Sequence, residues 1–111
     1  MELNEISKKL ETIGIPVAYL KFTKPQKLPF IVFFESGTEI EGADSLNLYR
    51  RVDINIELYS DSKPKGIKIE RKIESLFSDT PIHKDGDVYL PDEEMYMTSF
   101  SFETIQSIEE D

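Results

Sequence analysis

Residues 29–60 constrain the fold of this chain more than any other stretch, because they combine two strand patterns with a turn. Residues 51–59 alternate strictly between polar and apolar side chains, and this period of two predicts a half-buried strand. The apolar members of the alternation are Val52, Ile54, Ile56 and Leu58. Residues 30–34 are an unbroken apolar block, and residues 42–45 have the composition of a turn. We therefore predict a β-hairpin with long arms, its outer part at about residues 35–50.

The predicted hairpin is long relative to the domain that carries it. A second strand over residues 48–60 spans about 40 Å at ~3.3 Å per residue, whereas a domain of this length is only about 27 Å across. The outer segment, residues 38–48, is called the hairpin tip here, and it contains three acids and no base. We expect the tip to extend past the core and either to need a partner or to be flexible.

Two amphipathic helices are predicted from apolar residues that recur every three or four positions. The first helix ends at Gly14 and Pro16, and its apolar stripe is Leu3, Ile6, Leu10 and Ile13. The second helix starts near Asp61 or Ser62 with Pro64 in its first turn, and its stripe is Ile69, Ile73, Leu76 and Phe77.

The remaining strands complete the fold prediction. Asp85-Gly86 is a strong turn dipeptide, so two short strands are expected on either side of it, at residues 82–84 and 87–90. A final strand covers residues 95–105, and an acidic tail follows at residues 107–111. We predict one α+β domain over residues 1–111, with a mostly antiparallel sheet of four to five strands, two helices packed on one face and a long projecting hairpin.

Charge and composition exclude several classes of function. The net charge is −9, with 22 acids against 13 bases, which disfavours binding to nucleic acid and to anionic membrane surfaces. There is no cysteine, so disulfides, thiol nucleophiles and thiolate metal sites are excluded. The first residues show no signal-peptide pattern and no apolar run reaches the ~20 residues of a membrane span. We expect a soluble protein made in the cytoplasm.

No catalytic constellation is visible in the sequence. His83 is the sole histidine, and a lone histidine without suitable partners indicates neither a triad nor a metal site. The acidic stretches at residues 85–87 and 91–94 lack the ligand spacing of a calcium loop and are interpreted as turns. Gly-rich phosphate loops, nucleophile elbows and zinc-protease motifs are also missing. We predict a protein that is not an enzyme and holds no cofactor or metal.

Two groups of residues are candidates for contact with partners. The first is the hairpin tip, represented by Thr38, Glu39, Glu41, Asp44, Leu46 and Leu48. The second is a basic helix face, which is either an ordinary solvated surface, the preferred interpretation, or an electrostatic contact for an acidic neighbour such as another copy of the chain. Its residues are Lys63, Lys65, Lys68, Arg71 and Lys72.

Nearly the whole chain resembles a family of phage proteins, through short structural motifs rather than a catalytic signature. The motifs, in order, are residues 12–19 (TIGIPVAY), 28–32 (LPFIV), 43–44 (AD), Tyr49, 57–61 (ELYSD), a lysine-rich helix, 94–96 (EMY) and 100–103 (FSFE). This pattern is similar to the small tail-completion and head–tail joining, tail terminator-like proteins of long-tailed bacteriophages and prophages of low-GC bacteria.

The resemblance implies a structural role in the virion, with assembly in the cytoplasm of the host bacterium. The family implies a ring of identical subunits, commonly a hexamer, placed where the tail tube meets the head connector. It also implies flexible hairpin loops that become ordered on assembly. The expected partners are therefore other copies of this chain, the tail tube and the head connector, with neither nucleic acid nor membrane among them.

Two other hypotheses about function are compatible with the sequence. A cytosolic secretion-type chaperone is also small, acidic, poor in cysteine and α+β, and it binds an extended client segment as a dimer. An acidic mimic of DNA that blocks a nuclease is the other, and it requires an ordered surface array of carboxylates.

Overall fold

The computed structural model describes residues 1–43 and 46–108. Its elements are α1 (Leu3–Glu11), β1 (Val17–Tyr19), β2 (Phe30–Ala43), β3 (Leu46–Ser60), α2 (Lys63–Leu76), β4 (His83–Leu90) and β5 (Met95–Ser107). The strands form one sheet in the order β1-β2-β3-β5-β4. All neighbours are antiparallel except β1 and β2, which are parallel. The predicted α+β class with a mostly antiparallel sheet and two helices is confirmed.

The core lies between one face of the sheet and the two helices. Alternation along β3 buries Val52, Ile54, Ile56 and Leu58 completely or almost so, as the sequence predicts. β2 adds Ile31 and Phe33, and β5 adds Phe100 and Phe102. The helices cover this layer with Ile6, Leu10, Ile69, Ile73 and Phe77. Each strand contributes every second side chain to this face, and both helices pack on it.

Local signals explain where the helices start and end. α1 begins with a capping box in which the backbone N–H of Glu2 donates to the Glu5 carboxylate at 3.2 Å. Gly14 follows α1 with a φ of +92°, a conformation that glycine adopts without strain. α2 begins after Ser62 with a proline in its first turn. No helix within residues 1–43 and 46–108 is long and apolar enough to cross a membrane.

β2 and β3 pair over almost their whole length, from Phe30↔Tyr59 to Ala43↔Leu46. β5 lies along the other side of β3 as far as Tyr49↔Ser107. These strands run along the longest dimension of a molecule of 51 × 29 × 24 Å. The radius of gyration, 15.5 Å, exceeds the about 13 Å of a compact domain of this size. Residues 44–45, which connect β2 to β3, lie outside the described residues, so a hairpin that projects beyond the domain stays a prediction.

The prediction of two short strands around Asp85-Gly86 is wrong. Residues 83–90 form the single strand β4, and the dipeptide lies at a bulge where the register with β5 shifts between Lys84 and Gly86. Gly86 has a φ of +154°, so glycine serves here to insert an extra residue in a strand and not to reverse the chain. β5 also continues two residues past the predicted end at Ile105.

Candidate assembly surface

The outer half of β2 is exposed although its inner half is buried. Ile31 to Phe33 belong to the core, whereas every residue from Ser36 to Ile40 is exposed. Ile40 is an apolar side chain with 59% of its surface exposed. The outer half of β2 therefore presents polar backbone and the carboxylate of Glu39 together with the apolar side chain of Ile40.

Ion pairs between strands stabilise this outer part. Arg50 Nη2 lies 3.2 Å from Glu35 Oε2, and Arg51 Nη2 lies 3.3 Å from Glu41 Oε2. Arg51 Nε is 3.6 Å from Glu103 Oε1, an attraction between charges without a hydrogen bond. The Glu41 carboxylate also raises the pKa of Tyr49, through a hydrogen bond first and its charge second. The outer strands are thus fastened to each other although no helix packs on them.

The residues predicted for the hairpin tip fall into three groups. Thr38 and Glu39 are exposed, and the Thr38 hydroxyl donates to Glu35 at 3.3 Å. Glu41 is half-buried in its pair with Arg51. Asp44 lies outside the described residues, and Leu46 and Leu48 belong to β3 with side chains that are likewise outside the description.

The predicted basic helix face is divided by the structure. Lys65, Lys68 and Lys72 are exposed on α2, and Arg71 is exposed but paired with Glu74 at 3.3 Å. Lys63 instead turns toward the sheet and contacts Glu70 and Asp87. The basic helix face therefore consists of three exposed lysines and one arginine that is paired within the helix. Lys63 belongs instead to a group of charges between α2 and the sheet.

That feature is a cluster of four alternating charges where α2 meets β4, which we call the charge cluster: Lys63, Glu70, Lys84 and Asp87. The Glu70 carboxylate, only 5% exposed, accepts from Lys84 Nζ at 2.8 Å and lies 3.6 Å from Lys63 Nζ. Asp87 lies 3.1 Å from Lys63 and 3.4 Å from Lys84. The Thr98 hydroxyl lies within hydrogen-bond distance of both carboxylates. The two lysines balance the two acids, so the buried carboxylate is compensated.

The pKa values in the charge cluster follow from these contacts. The hydrogen bond to Glu70 raises the pKa of Lys84, against a smaller lowering by desolvation. Partial burial by itself would raise the pKa of Asp87, but the hydrogen bonds from Lys63 and Thr98 and the charges of both lysines outweigh it and lower the pKa. Both shifts favour the charged forms, which is typical of a stabilising ion-pair network rather than of a group that exchanges protons near neutrality.

Sequence reasoning also missed a groove on the sheet face opposite the helices. We call it the connector groove, because the segment joining β1 to β2 forms one wall. Its floor is aromatic: the Phe22 ring packs edge-on against Phe30 at 5.3 Å, and Phe30 stacks on Tyr59 at 5.1 Å. Lys21 and Lys24 line the connector side and Glu57 and Glu93 line the other, around a volume of about 630 Å³. Burial, and then the hydrogen bond to Glu57, raise the pKa of Tyr59 to about 12.

Within residues 1–43 and 46–108, no three His, Cys, Asp or Glu side chains are placed to hold a metal ion. His83 is exposed, with Nε2 3.7 Å from Asp85. The comparisons with protein-family models and with curated proteins find no match for this chain. The exposed outer sheet, the connector groove and the charges around them are therefore the candidate sites of contact with a partner.

Proposed function

We propose that this chain is a non-enzymatic assembly protein of a long-tailed phage or prophage, which forms a ring at the end of the tail and joins the tail to the head connector. The observation that supports the proposal is the change along β2, which is buried from Ile31 to Phe33 and exposed from Ser36 to Ile40. An outer sheet without a helical cover has little reason to be this long in an isolated subunit. It has a reason if the outer strands contact neighbouring subunits, as the resemblance implies.

A ring is a closed set of contacts in which one surface of each subunit meets a different surface of the next. The outer strands are suited to form one side of such a contact. Three ion pairs link β2, β3 and β5 in this region, and the carboxylate of Glu39 beside them is exposed to a neighbouring subunit. The exposed Ile40 supplies apolar area beside the acids.

Removal of part of the hairpin tip tests the proposal. Deletion of residues 41–47 shortens the paired strands at the end distant from the core, so far-ultraviolet circular dichroism and thermal unfolding should still show a folded domain. Ring formation, followed by sedimentation velocity and electron microscopy, should be abolished. Complementation of a phage or prophage that lacks the protein should fail, with tails and heads accumulating separately.

A pair of point variants provides the matched control. Ile40→Asp places a charge on the exposed outer strand and should weaken ring formation at least tenfold. Val88→Asp makes the same kind of change on β4, where the valine is 46% exposed, and should leave ring formation unchanged. Rings formed by the deletion variant would contradict the proposal. A stable dimer that retains an extended client peptide and forms no ring would favour the secretion-type chaperone instead.

A further inference from the structure

The connector groove combines an apolar floor with a basic wall, and its occupant is not within the described chain. Within residues 1–43 and 46–108, Lys21, Lys24 and Lys27 make no ion pair. Leu20 stands at the entrance, 62% exposed and with a φ of +70°. A leucine in the left-handed region that also exposes its side chain is costly in an isolated domain. The geometry points to a binding site for a segment that is both acidic and apolar.

We propose that the connector groove of one subunit receives the hairpin tip of a second copy of this chain. The inference rests on the ring proposed above and names the surface that accepts the tip. The outer hairpin, residues 35–53, and the connector, residues 20–29, carry net charges of opposite sign. Residues 35–53 contain five acids and two arginines, a balance of −3, whereas residues 20–29 contain three lysines and no acid, a balance of +3.

The contacts already made within each segment leave the right groups for this interface. Glu35 and Glu41 are occupied by arginines, but Glu39 is exposed and has no ion pair among the described residues. Ile40 beside it is the exposed apolar side chain that the aromatic floor suits. On the acidic side of the groove, Glu57 is already bonded to the Tyr59 hydroxyl at 2.9 Å. The connector side of the groove, with Lys21 and Lys24, is therefore the part suited to an acidic side chain.

The basic face of α2 fits the tip less well. Two of its five cations are paired within the subunit, Arg71 with Glu74 and Lys63 with the charge cluster. The cleft beside it is lined by three acids as well as three bases. All three bases of that cleft are paired within the subunit, whereas Lys21 and Lys24 of the connector groove have no ion pair among the described residues, so the groove offers the more available cations.

The distance between the connector groove and the hairpin tip of one subunit requires their contact to be intermolecular. The groove lies at the Phe30↔Tyr59 end of the β2–β3 pair, and the tip lies at the Ala43↔Leu46 end. Thirteen residue steps separate them along β2, or about 43 Å at ~3.3 Å per residue. A subunit cannot fill its own groove. Each copy offers a donor at one end and an acceptor at the other, which is the head-to-tail arrangement that closes into a ring.

Charge reversal on either side tests the contact. Glu39→Lys and Lys24→Glu should each weaken self-assembly about tenfold, measured by sedimentation velocity over a range of concentrations. The double variant should recover most of the loss, because the reversed charges attract again. Lys68→Glu, the same change at an exposed lysine of α2, is the matched control and should have no effect. If Lys24→Glu and Lys68→Glu behave alike, the groove is not the acceptor.

Cross-linking gives a second readout that does not require stable rings. The chain has no cysteine, so an Ile40→Cys protein and a Lys24→Cys protein can be mixed and oxidised. The mixed disulfide dimer should form in preference to either homodimer, and circular dichroism verifies that both variants are folded. Preferential Ile40→Cys homodimers would overturn the inference. Rings that form normally but tolerate Lys24→Glu would overturn it while leaving the proposed function intact, whereas rings from the tip deletion would overturn the proposed function itself.

Discussion

At the scale of single residues, Glu70 shows how the chain places a charge in its interior. The carboxylate is almost fully buried between α2 and the sheet, and it is held by two lysines and a threonine hydroxyl. A buried carboxylate without such partners would cost several kcal/mol. Gly66, one turn earlier on α2, allows the helix to lie close to Ser60, since a Cβ at position 66 would lie 2.8 Å from the Ser60 hydroxyl oxygen.

The pKa shifts in the charge cluster define the pH range in which it stabilises the fold. The pKa of Asp87 is lowered from 3.8 on folding, so its contribution is present above pH 3.8 and is lost as the pH falls through the lower folded value. The pKa of Lys84 is raised from 10.5, so its contribution is present below that pH and is lost as the pH rises through the higher folded value. The cluster is fully stabilising between these limits.

Asp87→Asn tests this range. At neutral pH the variant should lose about 0.2–1 kcal/mol of unfolding free energy, the range of partly exposed ion pairs. Because protonation removes the same charge from the natural protein, the difference should shrink as the pH is lowered below 3.8. Urea unfolding at pH 7 and in acid measures both quantities. A difference that stays constant into acid would show that the carboxylate charge is not what stabilises the site.

At the scale of elements, α2 is held to the sheet mainly by its C-terminal end. Phe77 is completely buried, and its ring lies 5.0 Å from that of Phe102 on β5. The charge cluster holds the N-terminal half of the helix against β4. Ile69, Ile73 and Phe77 pack in the core, and the charge cluster adds a buried carboxylate that two lysines compensate.

Phe77→Ala should therefore destabilise the domain by about 3–5 kcal/mol, through the lost apolar contacts and the cavity that remains. Urea unfolding followed by circular dichroism measures the change. Ser78→Ala, at the next and exposed position, is the control and should change stability by less than about 0.5 kcal/mol. A loss below about 1 kcal/mol for Phe77→Ala would mean that the core collapses around the missing ring.

The elements also show which parts of the fold can be predicted from short sequence patterns. The alternation at Val52, Ile54, Ile56 and Leu58 predicts a strand and its buried face, and both are observed. Asp85-Gly86 misleads, because the same dipeptide suits a turn and a bulge and only pairing with β5 decides between them. Neither the contact of Glu70 with Lys84 nor that of Phe22 with Phe30 has a periodic signature, since each depends on how distant segments are brought together.

At the scale of the whole molecule, the acidic chain has its charges distributed unevenly. The net charge of −9 would make copies repel one another in the absence of complementary surfaces. The outer sheet carries much of the negative excess and the connector carries three of the 13 bases. The ring proposed above therefore depends on local attraction that overcomes a general repulsion.

Self-assembly should accordingly depend on salt. Raising the ionic strength from about 0.1 M to about 1 M shortens the Debye length from about 10 Å to about 3 Å. If the contact between the hairpin tip and the connector groove has a large electrostatic component, this change should weaken the assembly and narrow the difference between the natural chain and Lys24→Glu. Sedimentation velocity at the two salt concentrations measures both effects. A difference between the natural chain and Lys24→Glu that stays the same at both salt concentrations would contradict an electrostatic contact at Lys24.

The pairing of β3 on both sides has a mechanical consequence. From Tyr49 to Tyr59 this strand is bonded to β2 along one edge and to β5 along the other. A force applied at the outer end along the strands loads all these interstrand hydrogen bonds in shear at the same time, so they do not break one after another. The subunit is consequently stiffest along the direction of β2, β3 and β5.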